Sequence, residues 1–237
     1  MKKYLLGSCA YSEGEKIQRV IQKCQDYPLY DILIIDDGST DGSLSHPPQG
    51  IPLTVIRNDT KKGAGYCIRQ IFDYAQKKGY AAVFFFSGND KDDPKDIVKL
   101  KDAMEAGYDF VQGSRYLRGG EHARMPAYRK IATRLIHPML FSLISGRKIT
   151  DSTNGFRAVR LTLLNDPRID IKQDWLNHYE LEPYMFYKAI QLGYQVKEVP
   201  VTKIYPSKKE GYSKMKPITG WWSILRPLVL LGLGIKK

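Results

Sequence analysis

Apolar and polar positions along the first half of the chain alternate in a pattern of strands and helices. Five short, mostly apolar runs predict strands at 4–7, 32–35, 53–56, 81–86 and 110–111, and the run 32–35 is continuously apolar, as expected of a strand buried on both faces. Between them, apolar side chains recur at helical spacing. Ser12 and Glu15 form a capping box that predicts the start of the first helix. The alternation predicts an α/β fold with a mostly parallel central sheet flanked by helices.

The second half of the chain has a less regular pattern. It predicts a helix over 125–144, a helix over 182–192 closed by Gly193, and a strand over 196–204. Residues 221–235 are mostly apolar, and no repeat or low-complexity linker precedes them. We therefore predict a single domain over 1–216, followed by an apolar C-terminal extension over 217–237.

Polar residues cluster in the loops that follow the predicted strands. Because the carboxyl ends of parallel strands meet at one edge of a sheet, these loops are expected to lie side by side, where ligands of such sheets bind. The clusters occupy 8–13, 36–41, 58–65, 87–93 and 113–120. The sequence therefore predicts a ligand site along this edge.

The charge of the chain narrows the choice of ligand. The 237 residues carry a formal net charge of +12, which suits nucleic acid, an anionic membrane surface or a phosphorylated small molecule. No nucleic-acid-binding motif is present, and the acidic loops lie where a phosphate backbone would have to pass, so we expect no nucleic-acid partner. Membrane surfaces and phosphorylated small molecules remain.

The location of the protein is predicted from its cysteines and its apolar segments. Three cysteines without zinc or CxxC spacing are typical of a reducing compartment. The apolar run near the start is too short for a signal peptide, and no run of eighteen apolar residues could span a bilayer. We expect a cytoplasmic protein. The tail 221–237, with paired tryptophans and terminal lysines, suits peripheral contact at the inner membrane face and equally suits packing on the domain itself or on another subunit.

Two loops concentrate carboxylates. Residues 34–43, IIDDGSTDGS, put Asp36 and Asp37 at a strand end, where they could accept hydrogen bonds from a base or ribose, or could close a tight turn. Residues 87–94, SGNDKDDP, form a hard oxygen site suited to Mg²⁺ or Mn²⁺. The same segment also suits a helix N-terminus, where Asp92 and Asp93 would complement the helix dipole.

Seven motifs in one order carry a family resemblance. They are AYSE at 10–13, DDGSTDG at 36–42, Asn58 with KGAG at 62–65, GSRY at 113–116, DSTNGFR at 151–157, EVPV at 198–201 and GYSK at 211–214. With these motifs the chain resembles the family 2 glycosyltransferases of the GT-A fold, a Rossmann-like architecture. More narrowly, it is similar to polyprenyl-phosphate glycosyltransferases such as the dolichol-phosphate mannosyltransferases. The resemblance covers about residues 4–216.

The resemblance implies inverting transfer of a sugar from a nucleotide-diphosphate sugar. The expected acceptor is a polyprenyl phosphate, and the expected cofactor is Mg²⁺ or Mn²⁺. Transfer to a glycan or small hydroxyl acceptor is the alternative within this class, and a non-catalytic sugar-nucleotide-binding protein is the alternative outside it. GDP-sugars and UDP-sugars both remain open as donors.

The resemblance also implies roles for individual residues. Arg115 and Asp151 are the expected catalytic residues, Asp151 as a general base if the acceptor is a hydroxyl. A phosphate acceptor is already anionic and needs no base. The residues expected to bind the nucleotide sugar are Ala10, Tyr11, Glu13, Asp36, Asp37, Lys62, Gly63, Asn89, Lys91, Arg129, Lys208 and Lys214.

The chain departs from the family pattern at the metal site. Ser87 and Asn89 stand where the family has two aspartates, and Lys91 stands at a position that is often glutamine. Asn89 could still bind the ion through its amide oxygen with help from Asp90, or Asp90 and Asp92 could act in a shifted register. Alternatively, Lys91 could supply the positive charge without a metal. We expect an altered metal site formed by Asn89 and Asp90.

Overall fold

A seven-stranded sheet forms the centre of the protein. The computed structural model describes residues 3–27, 30–207 and 217–236. The strands are β1 Tyr4–Ala10, β2 Asp31–Asp36, β3 Leu53–Arg57, β4 Ala82–Phe85, β5 Phe110–Ser114, β6 Glu121–Ala123, β7 Arg157–Arg160, β8 Val196–Pro200 and β9 Thr202–Ile204. The central sheet has the order β3-β2-β1-β4-β7-β5-β8, in which β7 runs antiparallel to both neighbours and the other pairs are parallel. The mostly parallel sheet is therefore as predicted.

Helices cover both faces of this sheet. They are α1 Glu15–Lys23, α2 Ala64–Lys77, α3 Ile97–Glu105, α4 Ala127–Ile131, α5 His137–Ser145, α6 Leu181–Gln191 and α7 Pro217–Gly232. A π-helical turn, Ala132–Ile136, joins α4 to α5, and 3₁₀ turns occupy Cys24–Asp26, Pro94–Asp96, Leu161–Asn165 and Asp174–Leu176.

Successive strand residues divide between two hydrophobic cores because side chains alternate across a strand. Leu5 and Phe85 face the core formed with α2, α5, α6 and α7, whereas Leu6 and Phe84 face the core formed with α1 and α3. Both faces of the sheet are thus apolar. This explains why the strands appear in the sequence as continuous apolar runs.

The capping box predicted at Ser12 is wrong. Helix α1 begins only at Glu15, after Gly14, and no side chain caps it. The Ser12 backbone N–H instead donates to the Ser39 hydroxyl at 2.8 Å, and the Ser12 hydroxyl accepts from the Thr40 N–H at 3.2 Å. These bonds tie the loop after β1 to the loop after β2, which brings two of the predicted polar clusters together.

Strands β7, β8 and β9 differ from the prediction. The single strand expected over 196–204 is two strands, because the chain leaves the central sheet after Pro200 and β9 pairs with β6 instead. Strand β7 was not predicted, since only Ala158 and Val159 are apolar within it. Because β7 is antiparallel, its first residue, Arg157, lies beside Phe85 of β4 and Gln112 of β5. The preceding loop 151–156 therefore reaches the same edge as the loops after those strands.

The apolar C-terminal segment folds as α7 and packs on the domain. Leu228 and Leu231 are buried in the core shared with α5 and α6. The His137 ring links this helix to the loop 151–156: its Nε2 donates to the Ile224 carbonyl at 3.3 Å, and its Nδ1 lies 2.6 Å from the Ser152 hydroxyl. In the part of the chain that the structure describes, no helix is long and apolar enough to cross a membrane.

We expect the stability of the fold to fall with acidification because of His137. Burial lowers the pKa of this ring to about 4, despite the opposing effects of the Ile224 carbonyl and Asp151. An unfolded histidine binds a proton near pH 6.5. Its contribution to stability is therefore complete above pH 6.5 and is lost as the pH falls toward 4, by about 2–3 kcal/mol at pH 4.5.

Urea unfolding at pH 7.5 and pH 4.5 measures this loss. The His137→Gln variant should lose less stability between the two pH values than the wild type, whereas substitution of the exposed His46 should leave the difference unchanged. An acid-induced loss in His137→Gln equal to that of the wild type would contradict the assignment.

Candidate functional site

A cleft of about 730 Å³ opens where the strands end at the carboxyl edge of the sheet. This is the edge predicted from the polar loops. Basic side chains outnumber acidic ones among the described residues that line it. The basic residues are Lys16, Lys61, Lys91, Arg115, Arg129, Arg157 and Lys203, and the acidic residues are Glu13, Asp37 and Glu182. The cleft therefore favours an anionic ligand.

Asp36 and Asp37 have different surroundings. Asp37 lines the cleft, and its carboxylate accepts the backbone N–H groups of Lys62 and Gly63 at 2.8 and 2.9 Å. Asp36 does not line the cleft; it accepts from the Ser39 N–H at 2.8 Å and from the Arg57 guanidinium at 3.2 Å. Asp37 thus orders one wall of the cleft, whereas Asp36 supports the loop from behind.

The lysine that faces the cleft is Lys61, not the predicted Lys62. The Lys61 ammonium nitrogen lies 3.9 Å from the centroid of the Tyr11 ring, within cation–π range, and both residues line the cleft. The Lys62 side chain is exposed and only its backbone N–H reaches Asp37. Ala10, Tyr11 and Glu13 line the cleft as the motif suggested.

We expect Lys61→Ala to weaken the binding of a nucleoside diphosphate about threefold, because Lys61 is exposed and an exposed cation–π pair is worth about 0.5–1 kcal/mol. The neighbouring Lys62→Ala is the matched control and should change the affinity by less than twofold. Isothermal titration calorimetry measures both. A larger loss in Lys62→Ala than in Lys61→Ala would reverse the assignment.

Gly63 allows the loop after β3 to contact the segment before α6. Its φ of 105° is strained for other residues, and a Cβ atom would lie 2.6 Å from the Asn177 carbonyl oxygen and against the His178 ring. His178, Tyr179 and Glu182 also line the cleft. None of the three was predicted as a site residue: Tyr179 and Glu182 could flank a sugar or lipid site, but core packing was the favoured interpretation, and His178 was expected to be structural or exposed.

Arg115 and Asp151 form a buried, bidentate ion pair. The Arg115 Nε and Nη2 atoms donate to the two Asp151 oxygens at 2.6 and 2.7 Å, and Arg115 lines the cleft. Burial alone would lower the pKa of Arg115, but Asp151 raises it well above its usual value. Glu198 holds the loop in turn, accepting from the backbone N–H groups of Thr150 and Asp151.

This environment does not suit Asp151 for the general-base role that was predicted. Its side chain is fully buried and is not part of the cleft wall. Its oxygens accept from Arg115 and from the backbone and hydroxyl of Thr153, so no lone pair is directed at a ligand. We therefore assign Asp151 as a positioning residue that fixes the Arg115 guanidinium.

The Tyr205 side chain is surrounded by three cations. The Lys91 ammonium lies 5.0 Å from the ring centroid and the Arg129 guanidinium 5.7 Å, while Arg115 Nη1 donates to the Tyr205 hydroxyl at 3.3 Å. Burial, Lys203 and Arg129 together lower the pKa of Lys91 to about 7. Positive charge is thus concentrated at one end of the cleft.

A second, apolar pocket opens from the cleft beside Arg129. It lies between the π-helical turn and α7 and shares part of its wall with the main cleft. Its lining residues are Arg129, Ala132, Thr133, Ile136, His137, Thr153, Ile224 and Leu225. The arrangement places a cation at the junction of a polar cleft and an apolar pocket.

The carboxylates of the segment 87–94 point away from the cleft. Asp90 is paired with Arg19 and Lys23 at 2.8 and 2.6 Å, and Asp93 is paired with Lys95 at 3.0 Å. Asp92 is buried against Lys203; burial would raise the pKa of Asp92, but that ammonium lowers it overall. None of the three aspartates lines the cleft.

These residues do not fit a divalent cation. Of the segment's side-chain oxygen atoms, only the buried Asn89 Oδ1 lacks a hydrogen-bond partner within the described residues, and Mg²⁺ and Mn²⁺ sites use carboxylates as well. No group of three His, Cys, Asp or Glu residues in the described ranges could hold a metal. The Ser87 hydroxyl accepts from Lys203 at 3.1 Å. The metal role expected of Asp90 therefore has no geometric support. Lys208 and Lys214, also expected to bind the donor, lie outside the described residues.

The fold and the site define an α/β protein with a cation-rich cleft at the carboxyl edge of its sheet. The family model of glycosyl transferase family 2 matches residues 8–166. The chain belongs to this family and is a glycosyltransferase.

Two relatives and one solved structure are similar over most of the chain. Polyprenol monophosphomannose synthase of Mycolicibacterium smegmatis is 29% identical over 214 residues, 86% of this chain and 78% of the relative. Dolichol-phosphate mannosyltransferase of Pyrococcus furiosus is 26% identical over 217 residues, 87% of this chain and 57% of the relative. Glucosyl-3-phosphoglycerate synthase of Mycobacterium tuberculosis, in complex with Mn²⁺, UDP and phosphoglyceric acid, has a TM-score of 0.70 at 14% identity, over 98% of this chain and 78% of that chain. The GT-A fold expected from the motifs is confirmed.

Proposed function

We propose that this glycosyltransferase moves a sugar from a nucleotide-diphosphate sugar to a polyprenyl phosphate, with inversion at the anomeric carbon. One observation carries the proposal: the cationic cleft continues past Arg129 into an apolar pocket. A polyprenyl phosphate has a matching form, an anionic head joined to an apolar chain. The two relatives described above, whose names specify polyprenol and dolichol phosphate chemistry, support the same acceptor.

The donor nucleotide occupies the side of the cleft formed by the loops after β1, β2 and β3. Tyr11 supplies an aromatic face, Lys61 a cation, and Asp37 an ordered wall. The diphosphate lies toward Lys91, Arg115 and Arg129, because these three cations surround Tyr205 at one end of the cleft. GDP-sugars and UDP-sugars both remain candidate donors.

The reaction needs no general base if the acceptor is a phosphate. An oxygen of the acceptor phosphate attacks the anomeric carbon from the face opposite the diphosphate. The bond from that carbon to the diphosphate oxygen breaks, and the nucleoside diphosphate leaves with the electron pair. The chain orients the two phosphorylated substrates and neutralises their charge through Arg115 and Arg129. The enclosed position of Asp151 supports this route over a hydroxyl acceptor.

An exposed apolar stripe supports contact with a membrane surface. Its side chains follow helical spacing from α4 through the π-helical turn to α5, and α7, which packs on α5, adds further exposed apolar groups. The stripe consists of Tyr128, Ile131, Leu135, Met139 and Leu143. Lys130 and Arg134 are exposed in the same segment and suit anionic lipid headgroups. A polyprenyl phosphate in a bilayer would enter the apolar pocket from this side.

We expect the double substitution Leu135→Glu with Met139→Glu to abolish flotation of the protein with vesicles containing anionic phospholipid. Each change replaces an exposed apolar side chain with a carboxylate that the lipid surface repels. Val98→Glu on α3 is the matched control, because Val98 is also exposed but lies outside the stripe. Flotation of the double variant at the wild-type level would count against this surface.

Binding of farnesyl phosphate, a short polyprenyl phosphate, tests the acceptor assignment. In the presence of the bound nucleoside diphosphate, farnesyl phosphate should bind and farnesol should bind at least tenfold more weakly, because only the former offers an anion to Arg129. Equal affinities for the two compounds, or no binding of either, would contradict the proposed acceptor. Calorimetry or competition with a fluorescent analogue provides the measurement.

A further inference from the structure

We infer that Lys91 binds the donor diphosphate in the place that a divalent cation would otherwise occupy. The inference rests on the proposed function, since it requires a nucleotide-diphosphate sugar in the cleft. In this chain Ser87 and Asn89 stand where the family has two metal-binding aspartates. A lysine that supplies positive charge without a metal is one of the three interpretations that the sequence allows.

The first support comes from the ion pairs that the acidic side chains of the segment 87–94 form. Asp90, Asp92 and Asp93 each form an ion pair with lysine or arginine side chains, and each faces away from the cleft. Partners from three separate elements hold them: α1 for Asp90, β9 for Asp92 and the 3₁₀ turn after β4 for Asp93. A shifted register, in which two of these aspartates would ligate an ion, would have to break these pairs.

The second support is the position of Lys91 itself. It is only 7% exposed, yet it lines the cleft. Within the described ranges, no carboxylate lies within salt-bridge distance of its ammonium nitrogen; Glu13 and Asp92 act on its charge only from farther away, and the Tyr205 ring centroid lies at 5.0 Å. A buried cation without a counter-ion is costly. The geometry therefore calls for an anion that the protein does not supply.

The third support is the charge of the surrounding residues. Arg129 faces the same Tyr205 ring, and the Lys203 ammonium contacts the Ser87 hydroxyl, which stands where the family has its first metal-binding aspartate. A divalent cation entering here would meet positive charge, whereas a diphosphate would be attracted. The Lys91 ammonium has three N–H donors that can reach oxygens of both phosphates as a compact charge. As the sugar departs, the same charge would stabilise the leaving diphosphate.

Calorimetric titration of the full chain with GDP and with UDP, in EDTA and in Mn²⁺, tests the inference. We expect one nucleotide to bind in EDTA with an affinity within twofold of that in Mn²⁺. Lys91→Gln should weaken this binding at least tenfold. Lys95→Gln, which removes an exposed lysine from the same segment, is the matched control and should bind within twofold of the wild type.

The outcomes separate this inference from the proposed function. Binding that requires Mn²⁺, or that Mn²⁺ tightens at least tenfold, would overturn the role of Lys91 and leave the donor site intact. Wild-type affinity in Lys91→Gln would do the same. If neither nucleotide binds in either buffer, both proposals fall together.

Thermal unfolding of the ligand-free variant separates a binding role from a structural one. Because Lys91 has no salt-bridge partner among the described residues, Lys91→Gln should melt at or above the temperature of the wild type. A markedly lower melting temperature would assign Lys91 a structural role and would overturn its assignment to the diphosphate.

Discussion

Asp151→Ala should lower the free energy of unfolding by about 3–5 kcal/mol, because it leaves the Arg115 guanidinium buried without its counter-ion. Arg115 is 3% exposed and Asp151 is fully buried, so water cannot take the place of the carboxylate. Urea unfolding measures the loss.

The control for this substitution is Glu105→Ala. Glu105 also forms an ion pair, with Lys101, but both side chains are about a third or more exposed, and removal of this surface pair should have little effect on stability. If the two variants lost similar amounts of unfolding free energy, burial of the Arg115–Asp151 pair would not be the reason for its contribution to stability.

The kinetics of Asp151→Asn distinguish a positioning residue from a base. An amide of the same shape fills the site but weakens the hold on Arg115, so the transfer rate should fall. The shape of the pH–rate profile should remain that of the wild type, because no proton passes through this residue. Loss of one limb of the profile in the variant would restore the general-base assignment.

Asp37→Ala should reduce the affinity for the nucleoside diphosphate at least a hundredfold. The carboxylate accepts from the backbone of Lys62 and Gly63 and from the Asn58 amide at 3.1 Å. Hydrogen bonds to a charged group contribute about 1.5–3 kcal/mol each. Without them the loop after β3 should lose its fixed position, and Lys61, which lies on this loop, should no longer be held at the cleft. Calorimetric titration measures the affinity.

The control for Asp37 comes from the same turn. Asp41 accepts from the backbone N–H groups of Gly14 and Ser43, but it lies outside the cleft wall. Asp41→Asn should therefore leave the affinity within about twofold of the wild type. A hundredfold loss in this variant as well would mean that any disturbance of the turn, and not the contact of Asp37 with the loop, weakens binding.

The layers of the fold could be predicted from the apolar pattern, because both faces of the sheet are buried. Strand β7 could not be predicted, since two apolar residues between arginines do not resemble a core strand. Its pairing depends on β4 and β5, which are distant in the sequence. The position of the cleft followed from the strand ends, which local sequence does mark.

The orientation of individual site residues depended on partners that the local sequence does not contain. Adjacent lysines, Lys61 and Lys62, look alike in the sequence, and the turn held by Asp37 decides which side chain faces the cleft. The local sequence suggests that Asp90 is available to bind a metal, but in the structure two basic side chains of α1 form ion pairs with it. In each case a tertiary contact selected one of the alternatives that the motif allowed.

Transfer to a polyprenyl phosphate is tested by comparing two acceptors that differ only in the phosphate. The protein would be incubated with radiolabelled GDP- and UDP-sugars and either polyprenyl phosphate or the corresponding polyprenol, and the lipid-extractable product would be counted. We expect label in lipid with polyprenyl phosphate and none with polyprenol, together with release of one nucleoside diphosphate per sugar transferred. Transfer to polyprenol alone, or no transfer from any donor under conditions where the nucleotide binds, would contradict it.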